Sequence, residues 1–76
     1  MNSNYESLEH THPHLQLAAS LREQINCGEI VTQLPSLTVL VERSGLAMGT
    51  VRRAVQVLVQ EQLVRTVPGR GIFVAR

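Results

Sequence analysis

Between residues 50 and 76, TVRRAVQVLVQEQLVRTVPGRGIFVAR, the hydrophobic periodicity switches from helical to strand-like within a few residues, and this switch constrains the chain more than any other feature. From Met48 to Gln60, Val51, Ala54, Val55 and Leu58 recur at three- and four-residue spacing and share one helix face, while Gly49, Arg52, Arg53, Gln56 and Gln60 share the other. The helix is expected to end near Gln62. LVRTV and IFVA then read as short strands on either side of Pro68, Gly69, Arg70 and Gly71. The glycines supply the positive φ angles of a tight turn, and Pro68, lacking an N–H for the ladder, has to close its strand. A hairpin this short is marginal alone and must pack on the helices. An arginine-bearing helix followed at once by a hairpin with Arg70 at its tip offers one part to the DNA major groove and another to the flanking backbone or minor groove.

Upstream, the pattern supplies the scaffold for that unit. Pro13 suits a first helical turn, and His14, Leu17, Ala18, Leu21 and Ile25 follow on one side of a helix that ends before Gly28. Gly28 to Leu34 is a connector in which Ile30, Val31 and Leu34 favour a brief strand, with the hairpin as its candidate partner. Pro35 turns Leu34 away from helix, and Ser36 is placed to cap a short helix, Leu37 to Ser44, that buries Leu37, Leu40 and Val41. Gly45 ends it, and Leu46 plugs the corner before the next helix, as between the two helices of a helix-turn-helix. Val57 and Val59 flank the core stripe of the third helix, either widening the core or leaving an apolar edge for a partner. The fold class is therefore mainly α with a small β-hairpin: a winged helix-turn-helix over residues 13–76, preceded by a polar, aperiodic and flexible tail over residues 1–12.

Composition narrows the function. Seventy-six residues allow one small domain, and with one Phe, one Tyr and no Trp its core must be aliphatic. The net charge of +1 conceals a division: residues 1–42 carry one arginine against five glutamates, net −4, and residues 43–76 carry six arginines against one glutamate, net +5. The basic half coincides with the helix and hairpin, which suits a polyanion, although a solvated face gives the same pattern. Cys27 is alone, excluding an intramolecular disulfide, and reads as a small buried or half-buried apolar residue in a reducing, cytoplasmic setting. No stretch approaches the roughly 20 apolar residues that span a bilayer, so no membrane partner is expected. His10, His12 and His14 alternate but are broken by Pro13 and lack further ligands, so no metal is expected. PGRG lacks the length and the terminal Lys and Ser or Thr of a phosphate-cradling loop. No nucleophile stands in a fixed relation to a base, so neither an enzyme nor a cofactor is implied.

The segments LREQINCGEI, LPSLTVLVERSGL, GTVRRAVQVLVQEQLV and PGRGIFVA, taken in order, resemble the DNA-binding domain of GntR-type (gluconate-repressor-like) winged-helix transcription regulators over roughly residues 14–75. The resemblance implies a three-helix winged domain that binds operator DNA, usually as a dimer on a palindrome and usually ahead of a larger effector-binding domain. It carries over four positions directly: Thr50 and Arg52 on the recognition helix, Gly69 and Arg70 at the wing tip. Elsewhere the chain departs from the family pattern. Leu37 and Thr38 stand where Glu-Arg is usual, and Ala47, Met48 and Gly49 stand where Ser-Arg-Thr is usual, so two expected arginines are missing. Met48 is placed to touch a thymine methyl instead. Gly49 is either a relaxed position or one that lets the helix N-terminus approach a phosphate closely. Ala47 cannot cap the helix, and Gln62 replaces a helix-ending Gly.

The sequence thus leads to a DNA-binding transcription regulator, a repressor rather than an activator, whose partner is double-stranded DNA bound by a homodimer on a palindromic operator. The DNA-facing residues are Thr38, Met48, Gly49, Thr50, Arg52, Arg53, Gln56, Gly69 and Arg70. The competing reading is a winged helix that serves as a protein-interaction module, motivated by the missing arginines and the apolar Met48, Val57 and Val59.

Overall fold

A computed structural model describes residues 12–75 of the chain. It contains α1 (Pro13–Asn26), α2 (Leu37–Ser44), α3 (Met48–Gln60), β1 (Val64–Val67) and β2 (Gly71–Val74). The two strands form an antiparallel hairpin pairing Val64 with Val74, Arg65 with Phe73, Thr66 with Ile72 and Val67 with Gly71. Three helices and a two-stranded wing make a winged helix, as the change of periodicity predicts. His10 lies outside the described residues. Among those described, no helix is long and apolar enough to cross a membrane, and no group of three His, Cys, Asp or Glu side chains is placed to hold a metal.

One aliphatic core joins every element. Ala18, Leu21 and Ile25 of α1, Leu40 of α2, Val51, Ala54, Val55 and Leu58 of α3, Val64 of β1, Ile72 of β2 and the loop residue Leu34 are all buried. The central wall is α3, which touches both other helices and β1. Val57 and Val59 are half-buried against this core, so they widen it instead of forming a free edge. Leu46 also packs against it, at the corner between α2 and α3. Cys27 departs from expectation: it is exposed. It occupies the C-cap of α1, one residue beyond the last helical turn, so it falls past the buried stripe that ends at Ile25.

The connector ahead of α2 forms no strand of its own but meets β2 through a single β-bridge. Gln33 bridges to Phe73 in antiparallel sense, the Leu34 N–H donates to the Ile72 carbonyl at 2.9 Å, and the Val74 N–H donates to the Thr32 carbonyl at 2.8 Å. The hairpin is thus tied along β2 to the chain that enters α2. Within the connector Leu34 points into the core, while Val31 stays 72% exposed.

The end of α3 is set by a residue under backbone strain. Gln62 has φ 63°, the left-handed region, and it is the non-glycine residue with positive φ among those described. Its N–H donates to the Val59 carbonyl at 2.9 Å and the Leu63 N–H to the Leu58 carbonyl at 3.0 Å, the paired bonds of a Schellman cap. An L side chain in this conformation costs about 1–2 kcal/mol, partly offset because glycine loses more backbone entropy on folding. Gln62→Gly is therefore expected to stabilise the fold by about 0.5–1 kcal/mol and to raise the thermal midpoint by about 2–8 °C, read by circular dichroism. A lowered midpoint would remove the strain assignment. Beside this cap the Arg22 guanidinium donates to both carboxylate oxygens of Glu61, at 2.9 and 2.7 Å, pinning α1 to the end of α3. The pair is partly exposed, so solvent screening holds its contribution to about 1 kcal/mol or less.

Candidate nucleic-acid interface

The polar face of α3 reaches solvent because α1, α2 and β1 pack against its opposite face. Ser36 starts α2 with an extended backbone and accepts a hydrogen bond from the Val39 N–H at 3.3 Å. Gly45 closes α2 at φ 73°, and the Leu46 N–H donates to Ser44 Oγ at 3.1 Å, shaping the turn into α3. Ala47 is the N-cap residue ahead of α3, and its side chain makes no cap bond. The first N–H groups of α3 therefore lack the satisfaction that a Ser at this position supplies.

Between the start of α2, the exposed face of α3 and the wing lies an open cleft of about 540 Å³. Ser36, Leu37 and Thr38 form one wall, Arg52, Val55 and Gln56 the floor, and residues 66–67 and 69–72 of the wing the other wall. The lining includes Arg52 and Arg70 and no carboxylate, so the charged side chains on it are all cationic. Neither arginine, nor the adjacent Arg53, joins an ion pair among the described residues.

Of the nine residues the sequence singles out, Thr38, Arg52, Gln56, Gly69 and Arg70 converge on this cleft. Met48, Gly49, Thr50 and Arg53 do not line it. Met48, 37% exposed, and Gly49 stand at the exposed first turn of α3, Thr50 is half-buried and Arg53 is exposed beyond the cleft floor. A Cβ built at Gly49 would meet nothing within 4 Å, so its absence widens no intramolecular contact and leaves the helix surface bare. Ser36 and Thr66 line the cleft without having been singled out. For Thr66 the signal was available, since a polar strand-former two residues beyond buried Val64 lies on the same side of β1, where the strand runs past the core toward the cleft.

Comparison with known proteins agrees with this geometry. The family of bacterial regulatory proteins, gntR family, matches residues 13–74. The DBD of AraR in complex with operator ORR3 is 31% identical with a TM-score of 0.79, over 82% of this chain and 77% of that one. A functionally unknown protein from Listeria innocua is 36% identical with a TM-score of 0.75, over 80% of this chain and 28% of that one. A transcriptional regulator from Oenococcus oeni is 26% identical with a TM-score of 0.77, over 84% and 55% respectively. No match was found among the curated proteins. Because the family match spans all three helices and both strands of the wing, the chain belongs to the gntR family of bacterial regulatory proteins.

Proposed function

We propose that the chain is a sequence-specific DNA-binding transcription regulator, acting as a repressor by occupying an operator. The observation that carries this reading is the convergence of Arg52 and Gln56 on α3 with Arg70 on the wing across an open cleft free of carboxylates. In the proposed complex α3 enters the major groove. Arg52 donates to guanine O6 and N7, Gln56 makes the paired hydrogen bonds that suit adenine, and Met48 meets a thymine methyl. Gly49 brings the bare start of α3 close to a phosphate, Thr50 and Arg53 contact the backbone on its flank, and Thr38 does so from α2. Gly69 and Arg70 follow the flanking backbone or minor groove. The operator complex of the AraR DBD supports this arrangement by similarity of fold. One copy covers a half-site, so the functional unit is a homodimer on a palindrome with half-sites about one helical turn apart.

Selection of duplexes from a random-sequence pool by the full chain, followed by anisotropy titration of the recovered duplex over a range of salt, tests this reading. With roughly three to five phosphate contacts per copy, log affinity is expected to fall with log salt at a slope of about −3 to −4.5 for each copy bound. Absence of binding at low salt, or a flat salt response, would defeat the proposal and favour a protein-interaction module. That second reading has lost the apolar edge that Val57 and Val59 would have given it, since both pack against the core.

A further inference from the structure

The wing tip is built from the residues least able to hold a shape by themselves. Arg70 sits between Gly69 at φ 75° and Gly71 at φ 127°, and within the turn its N–H bonds to the Val67 carbonyl at 2.9 Å. A further anchor comes from outside the hairpin: Gln33 Nε2 donates to the Arg70 carbonyl at 3.2 Å. The amide orientation follows from chemistry, because the flipped form would set two carbonyl oxygens against each other. Gly71 makes room for this contact, since a Cβ there would lie 2.7 Å from Gln33 Nε2. The backbone of Gln33 is itself fixed by its bridge to Phe73, and three residues later Ser36 caps α2.

We infer that Gln33 is a positioning residue that clamps the Arg70 peptide and orders the wing tip for DNA, coupling it to the start of α2. The inference rests on the functional reading above, in which Arg70 faces DNA. Its physical basis is preorganisation. A glycine-flanked arginine free to sample many tip conformations loses that freedom on binding, whereas a clamped one has already lost it on folding. Gln33 touches no DNA in this account and acts through Arg70.

Gln33→Met keeps the length of the side chain and removes its donor. In the free 76-residue chain, ¹⁵N relaxation order parameters at Gly69, Arg70 and Gly71 are expected to fall, with the melting midpoint moving by no more than about 4 °C because the lost bond is exposed. Affinity for the duplex recovered from the random pool is expected to drop roughly three- to tenfold, and this loss should vanish in an Arg70→Ala background. Unchanged order parameters, or an equal loss of affinity with and without Arg70, would overturn the role of Gln33 while leaving DNA binding intact. A wild-type chain that recovers no duplex would overturn the functional reading and this inference with it.

Discussion

Arg52→Ala is expected to lower affinity for the selected duplex by about 1–3 kcal/mol, roughly 5- to 150-fold, with the thermal midpoint nearly unchanged. The two parts of that expectation have separate causes. Arg52 is exposed on α3 and joins no ion pair among the described residues, so its removal costs the fold little. In the proposed complex the same side chain occupies the cleft floor between Thr38 and the wing, where a fork of donors matches one guanine edge. Loss of that pair should also relax discrimination at a single base position, which a titration of point-substituted duplexes reads directly. Arg53→Ala is the internal comparison: it removes the same charge beyond the cleft and is expected to weaken all sequences about equally. If Arg53→Ala erased base preference and Arg52→Ala did not, α3 would be rolled about its axis relative to the pose proposed here.

Leu58→Ala is expected to be the most damaging single change to stability, costing about 3–5 kcal/mol. Leu58 has no exposed surface and is the largest fully buried side chain among the described residues. A domain of this size holds roughly 4–11 kcal/mol in total, so the variant should lose a large share of its margin and melt more than about ten degrees lower. The position matters because Leu58 lies where α3 ends, its carbonyl accepting from the Leu63 N–H in a backbone bond that the substitution keeps, so the cavity opens directly beneath the cap. A cavity here loosens the helix and the start of the wing together. Urea unfolding of the two chains measures the difference, and a loss below about 1 kcal/mol would show that the site collapses around the smaller side chain.

The fold was legible in the sequence wherever local chemistry and packing agree. Ser36 and Gly45 mark the ends of α2 because each meets a backbone need that few other residues meet: an acceptor for a free N–H, and a left-handed φ. Val51, Ala54, Val55 and Leu58 were readable because helical spacing leaves them one destination. Gln62 shows where local chemistry is overruled, since it adopts the conformation of a glycine while the Schellman bonds and the packing of Leu63 hold it there. Cys27 was misjudged because residue type carries no information about where the helix stops relative to the buried stripe. For the candidate interface, charge and spacing identify the exposed face of α3, but which of its residues share a cleft with the wing depends on how far α2 and the hairpin extend over it. Arg52 and Arg53 are adjacent in sequence, and only the tertiary arrangement separates them. The clamp from Gln33 to Arg70 spans 37 residues and had no local signal at all.

Recruitment of residues 32–34 beside β2 also has a consequence for self-association. A hairpin by itself has two open edges, each able to template another strand. Here β2 has β1 on one side, and on the other its Ile72 carbonyl and Val74 N–H are taken by Leu34 and Thr32, which obstructs that edge. The remaining edge, along β1, runs for four residues, carries the charge of exposed Arg65 and stops at Pro68, which has no N–H to offer. A wing that must protrude from the protein is thereby kept from zipping onto the wing of its neighbour.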